Sequence, residues 1–249
     1  CLIMINLRLN SSQLVQTKQE FEVSLNQLNI NQSEKSKNYL YKERLNKIIE
    51  LISENNSNLI IFSETDYPFI IESNDLVPRV QSLIKNKQTV IIGGIKNEGN
   101  KYYNSLYLIE KNTFDVFDKK ILVPFGEFLP FRQYLKFLNP IVGNIDFSVG
   151  HNERLMTLLN NINIIPVICY EIIFFNNLLD NMNKHSPLLI NLTNDAWFGK
   201  FSGPYQHFYL SRMRSTEFNK YLIRVSNNGV SAIIDNYGKI LKFIPLNVK

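Results

Sequence analysis

The sequence predicts an α/β domain with helices on its outer faces and sheets inside. Short, mainly apolar runs recur, at 58–62, 89–92 and 188–192, and a run apolar on both faces suits a central strand covered on each side. Helical spacing appears between them: Leu45, Ile48, Ile49 and Ile52 fall at i, i+3, i+4 and i+7. Strand pairs are inserted into this alternation, which places sheets in the interior and helices outside.

In chain order, residues 9–37 are polar and weakly patterned and are expected to form a loop with some helix. Residues 38–56 read as a helix, 58–62 as a buried strand and 74–87 as a second helix. The strand at 89–92 is expected to end at Gly93-Gly94. Residues 102–110 and 113–118 form a strand pair, with a turn at Lys111-Asn112. Pro124, Gly126 and Pro130 punctuate a loop. Strands follow at 154–159 and 162–168, the second running into Cys169, then a helix at 171–182. The strand at 188–192, a long helix at 204–220 and strands at 221–226, 229–235 and 239–244 complete the order, with Asn236-Tyr237-Gly238 as a turn. No repeat, low-complexity linker or composition break is present, so a single domain over 1–249 is expected.

The bulk properties bound the function. Of 249 residues, 45% are hydrophobic and 20% charged, enough to bury a core and too few charges for disorder. The net charge is +5, but the basic residues are scattered rather than blocked, so nucleic acid is not expected as a partner. A weak attraction to an anionic membrane surface is compatible with the charge. The two cysteines, Cys1 and Cys169, make neither a disulfide framework nor a metal-ligand spacing. No run of about 18 apolar residues occurs, so no bilayer span is expected. Cys1–Ile5 is apolar but short: a first strand, or the stub of something longer. The chain opens on Cys1 and stops after a strand-like stretch, and reads as a piece of a longer chain cut at both ends.

Three residues share a place at the ends of expected strands: Glu64 after 58–62, Lys119 after 113–118 and Cys169 after 162–168. In open α/β sheets such ends converge on one crevice. A free thiol titrates near about 8.5 and needs a base or a cation to act as a nucleophile. Glu64 is the candidate base. Lys119 is the candidate cation for the thiolate and for the oxyanion formed on attack at a carbonyl. Each residue also has a plain reading, a core cysteine and two solvated turn residues. Glu64 departs from it, because a carboxylate set among Phe62, Tyr67 and Phe69 is costly to bury without a partner. His151, His185 and His207 show no relation to Cys169 in the sequence.

The wording around these residues resembles the nitrilase superfamily of carbon–nitrogen hydrolases. The segments are Ser63-Glu64-Thr65, Lys119 shortly before LVPFGEFLPF (122–131), CYE (169–171), NLTNDAWFG (191–199), GPYQHFYLSRMRSTE (203–217) and RVSNNGVS (224–231). Within the superfamily they are most similar to the apolipoprotein N-acyltransferase branch. The likeness covers the chain from about residue 38 to the end and leaves the polar 9–37 segment unmatched. It implies a four-layer α-β-β-α sandwich. It also implies Glu64 as general base, Lys119 rather than Lys120 as stabiliser of the intermediate, Cys169 as nucleophile, and Glu127 as a second active-site glutamate that orients Lys119 or the incoming amine. Tyr170 and Glu171 then stand at a helix start beside the nucleophile, the N–H of Tyr170 serving the oxyanion. Trp197 either lines an acyl or headgroup pocket or packs ordinarily.

The resemblance further implies a phospholipid acyl donor, an apolipoprotein acceptor, and neither metal nor organic cofactor. It places the domain on the periplasmic side of a bacterial inner membrane, anchored by flanking helices outside this chain. Two other readings stand beside it. One is a soluble amidase using the same site with water as acceptor; the other is a non-catalytic nitrilase-like module.

Overall fold

The computed structural model describes residues 22–35, 37–71, 75–130, 146–159, 161–199 and 201–248. The first sheet runs β1 (Val23–Asn26), β2 (Leu59–Phe62), β4 (Thr89–Glu98), β5 (Lys101–Ile109), β6 (Phe114–Asp118), with β3 (Tyr67–Ile70) paired to β4. The second runs β12 (Ile240–Ile244), β11 (Ser231–Ile234), β10 (Tyr221–Ser226), β9 (Leu188–Thr193), β8 (Asn163–Ile168), β7 (Met156–Thr157). Helices α1 (Tyr41–Ser53) and α2 (Leu76–Leu83) accompany the first sheet, and α3 (Gly203–Phe218) the second.

The period-two alternation of strand side chains sorts the layers. On β2, Leu59 and Ile61 enter a core shared by both sheets, while Ile60 and Phe62 face Leu45, Ile48 and Ile52 of α1 and Leu76 and Val80 of α2. β8 behaves likewise: Ile164 and Ile168 face the shared core, whereas Ile165 and Val167 join Phe208 of α3. Burying each such side chain contributes about 1.5–3 kcal/mol. Three apolar cores between four layers make an α-β-β-α sandwich, the architecture the motifs implied.

Several expectations are corrected. Part of the polar 9–37 segment is a strand: Val23 and Leu25 alternate with Ser24 and Asn26, and β1 pairs in parallel with β2. The rest of 9–21, and Cys1–Ile5, lie outside the described residues. The second helix is shorter than expected, and of 154–159 only β7 is strand. The helix expected at 171–182 is absent. The chain there makes two short 3-10 turns, Cys169–Ile173 and Phe175–Asn177. Asp180 and Asn183 each bond a nearby backbone N–H, so local side-chain bonds compete with helical ones.

The strand starting at Thr89 does not stop at the glycine pair but continues to Glu98. Its first half pairs with β2 and its second with β3. Pro68 in β3 hid this strand from the sequence; an edge position tolerates it. Between β2 and β3 the chain turns at Glu64-Thr65, with Thr65 at φ 46°. Gly93 faces that turn: a Cβ there would lie 2.6 Å from the Thr65 nitrogen and 2.7 Å from the Glu64 Cα. Gly93→Ala is therefore expected to push the Glu64 turn out of place and to cost about 1–3 kcal/mol of stability. Thermal melting checks this, and a wild-type melting temperature would show that the turn yields without cost.

Candidate active site

β2, β4 and β6 run the same way, because β5 reverses direction between β4 and β6. Glu64 and Lys119 therefore leave the first sheet at the same edge. β8, β9 and β10 are parallel in the second sheet, and Cys169 follows β8. The packing of the sheets brings these ends together, with Lys119 1%, Glu64 5% and Cys169 6% exposed.

Lys119 Nζ lies 2.9 Å from Glu127 and 3.4 Å from Glu64 Oε1. Burial opposes its charge, but Glu64 and Glu127 outweigh that and hold its pKa above the usual lysine range. Glu127 also accepts the N–H of Val123, which fixes the 123–127 loop around its carboxylate. Lys120 directs its backbone N–H to Glu171, whereas the Lys119 ammonium stands between Glu64 and Glu127.

Asn104, absent from the sequence reading, stands between the carboxylates. Its Nδ2 donates to Glu64 Oε1 at 2.8 Å and to Glu127 Oε1 at 2.7 Å. The available signal was a buried Asn-Ser pair inside an otherwise apolar strand. Glu64 Oε1 is thus occupied twice, whereas Oε2 is buried with no hydrogen-bond partner.

Cys169 sits at φ 50°, in a left-handed conformation that side chains rarely adopt. The strand ends sharply there, and the strain is of the kind stored at functional sites. Burial pushes the thiol up to about 12, Glu64 adding to the rise while Lys119 and a bond from Thr193 oppose it. The resting group is a thiol at neutral pH.

Glu171 does not begin an α-helix, and its carboxylate is fully engaged. Arg154 grips it through Nη1 at 2.9 Å and Nη2 at 2.7 Å, and it accepts the N–H groups of Ile168, Lys120 and Ile121. It ties the loop after Lys119 to the turn around Cys169. Tyr170 stands in the first turn after the thiol, its ring against Phe174. Trp197 is 64% exposed on the turn Asp195–Phe198, so it is not a core residue.

His207, set aside in the sequence, is in fact adjacent to the thiol's backbone. Its Nε2 is 3.3 Å from the Cys169 carbonyl oxygen and its Nδ1 is 2.8 Å from Asp195. Asp195 also binds Arg224 and Ser226. Burial pushes the Asp195 carboxyl up, but Arg224 and His207 hold it below the usual range. His207 comes from α3, Asp195 from the turn after β9 and Cys169 from the end of β8, so no local pattern announces the contact.

A buried thiol, two carboxylates and a lysine thus stand at facing sheet edges of an α-β-β-α sandwich. The family model described as Carbon-nitrogen hydrolase matches residues 22–248, and the chain belongs to that family. Its sequence is similar to apolipoprotein N-acyltransferases: that of Rickettsia typhi is 39% identical over 203 residues, covering 77% of this chain and 40% of the relative. That of Rickettsia bellii is 38% identical over 241 residues, 92% of this chain and 47% of the relative. The chain thus spans less than half the length of the curated relatives it matches. Two solved structures share the fold. A CN-hydrolase superfamily protein from Xanthomonas campestris has a TM-score of 0.66 at 16% identity, over 92% of this chain and 88% of that one. Nit3 of Saccharomyces cerevisiae, a nitrilase superfamily member, has 0.66 at 17%, over 92% and 87%.

Proposed function

We propose that this chain carries the catalytic site of a lipoprotein N-acyltransferase. It moves a fatty acyl group from a membrane phospholipid, through a thioester on Cys169, to the N-terminal amine of a diacylglyceryl-cysteine apolipoprotein. The observation that carries the reading is the unpartnered buried oxygen of Glu64 in a site it shares with Lys119 and a neutral thiol. Glu64 takes the thiol proton as the sulfur adds to the ester carbonyl. Lys119 holds the resulting oxyanion, with the N–H of Tyr170, since first-turn N–H groups lack helical acceptors. The tetrahedral intermediate collapses, and the lysophospholipid oxygen leaves with the proton from Glu64. The acceptor amine then adds to the thioester, Glu64 takes its proton, and the sulfur departs, receiving that proton from Glu64. Amide is more stable than thioester, so the second half runs downhill.

The similarity to apolipoprotein N-acyltransferases favours an amine over water as acceptor. Exposed Trp197, Phe198 and Phe201, which follow Asp195 in the chain, suit a lipid donor better than a small polar amide. Among the described residues no helix is long and apolar enough to cross a membrane. In this reading the domain works at the periplasmic face of a bacterial inner membrane, held by flanking segments. Incubation with phospholipid in detergent micelles, without acceptor, should leave a stable acyl mass adduct on Cys169. Its discharge on adding a lipopeptide amine completes the test, and the absence of any adduct would overturn the mechanism.

A further inference from the structure

Residues 27–35, within the polar 9–37 segment, cross from one sheet to the other at the site. Gln27 donates to the carbonyls of Pro245 and Val248 and accepts from Ser231. Asn29 and Ile30 donate their N–H groups to Asn227, which follows β10. Gln32 accepts from Asn194 at 2.8 Å, on the turn after β9. Lys35 then reaches the other sheet, its Nζ donating to the backbone carbonyl of Glu64 at 2.8 Å.

Lys35 is buried, and the turn it grips is already braced by Asp66, which accepts the N–H and hydroxyl of Ser63. A buried ammonium is costly unless it is paired or has a use. Burial holds its pKa below the usual lysine range, Arg44 adding to the fall, while Asp66, Glu64 and Cys169 favour the charge. A neutral donor could hold a carbonyl equally well; a cation additionally acts on the thiol.

We propose that Lys35 is a positioning residue of this site: held by the 27–35 strap, it fixes the turn that presents Glu64 and adds to Lys119 a second buried cation that favours the Cys169 thiolate. The proposal rests on the reading of Glu64 as base and Cys169 as nucleophile. The groups acting on the thiol are then Glu64 and Asp195, which disfavour the thiolate, and Lys119, Lys35 and the Thr193 hydroxyl, which favour it.

The test compares wild type with Lys35→Met and Lys35→Arg by thermal melting, by iodoacetamide labelling of Cys169 at one mildly alkaline pH, and by the rate of acyl-adduct formation. Lys35→Met is expected to label about tenfold more slowly per folded molecule, equivalent to a rise of about one pH unit in the thiol. Adduct formation should fall about 100-fold through misplacement of Glu64. Lys35→Arg keeps the charge and should restore most of the labelling rate. A Lys35→Met protein that melts earlier but labels and acylates at wild-type rates has lost a merely structural residue, and that overturns the proposal; faster labelling, from a loosened pocket, overturns it too. Should Lys35→Met fail to fold, Gln32→Ala cuts the strap's link to Asn194 and leaves the buried charge in place. It should slow adduct formation several-fold with labelling unchanged, and a wild-type adduct rate there overturns the strap's part. Labelling does not require acyl transfer. If the wild-type protein forms no adduct, the proposed function fails while the labelling comparison still decides the role of Lys35.

Discussion

Replacing Cys169 by alanine is expected to abolish acyl transfer, by at least about 10⁴-fold, with little loss of stability. The sulfur is the atom on which the proposed reaction turns, and the other site groups act on it or on what it attacks. Without it, Lys119 and Glu127 remain paired and Asn104 still bridges the carboxylates, so the pocket persists but has nothing to acylate. Alanine fits in place of the buried thiol, and the positive φ that it inherits is the same strain. Serine should fail nearly as completely, because a hydroxyl yields its proton far less readily than a thiol. The measurement is acyl-adduct mass and lipopeptide acylation, with the melting temperature as control. A Cys169→Ala protein that still acylates would favour the non-catalytic module, or a different nucleophile. In the wild type, alkylation of the thiol should climb steadily through the alkaline range, since burial pushes its pKa up to about 12.

The largest loss of stability is expected from Arg154→Met. Arg154 and Glu171 are buried together, and the carboxylate receives two guanidinium bonds and three backbone N–H groups. The guanidinium also donates to the Pro166 carbonyl and lies over the Phe117 ring at 4.8 Å. Removing one partner of a buried pair typically costs about 3–5 kcal/mol, because the other charge stays behind uncompensated. For a chain of this size that lowers the melting temperature by roughly 10 °C. Activity should fall as well, since Glu171 ties the Lys119 loop to the Cys169 turn.

The pH dependence follows from the same pair. Burial pushes the Glu171 carboxyl up, but Arg154 and the backbone bonds hold it below its ordinary value. Its contribution is therefore complete above the usual carboxylate range and is lost as pH falls toward the folded-state value. Arg154→Met should shift acid unfolding to higher pH. A variant melting within two degrees of wild type, with unchanged acid unfolding, would show that water or rearrangement replaces the arginine.

Much of the architecture was legible in the chain. Mainly apolar runs announced the central strands, and the Leu45–Ile52 spacing announced the helix over β2. The strand-end positions of Glu64, Lys119 and Cys169 follow from local order along the chain, which is what periodicity reports. The misses share a cause. β1 and β3 are short edge strands, one half polar and one carrying Pro68, so their identity depends on the neighbour that pairs with them. The expected helix after Cys169 was lost to Asp180 and Asn183, whose side chains outcompete helical bonding.

By itself the sequence determined the layered α/β fold, the three chemistry-bearing residue types at strand ends, and a family likeness carried by long motifs. Only the tertiary structure decided what surrounds them: Asn104 bridging two carboxylates, Arg154 neutralising Glu171, His207 at the Cys169 carbonyl, and Lys35 holding the Glu64 turn. Each of those contacts joins residues from different elements of the fold. A charged or polar side chain becomes a partner only when folding removes water from around it, and the identity of that partner is set by which strand ends the two sheets bring face to face.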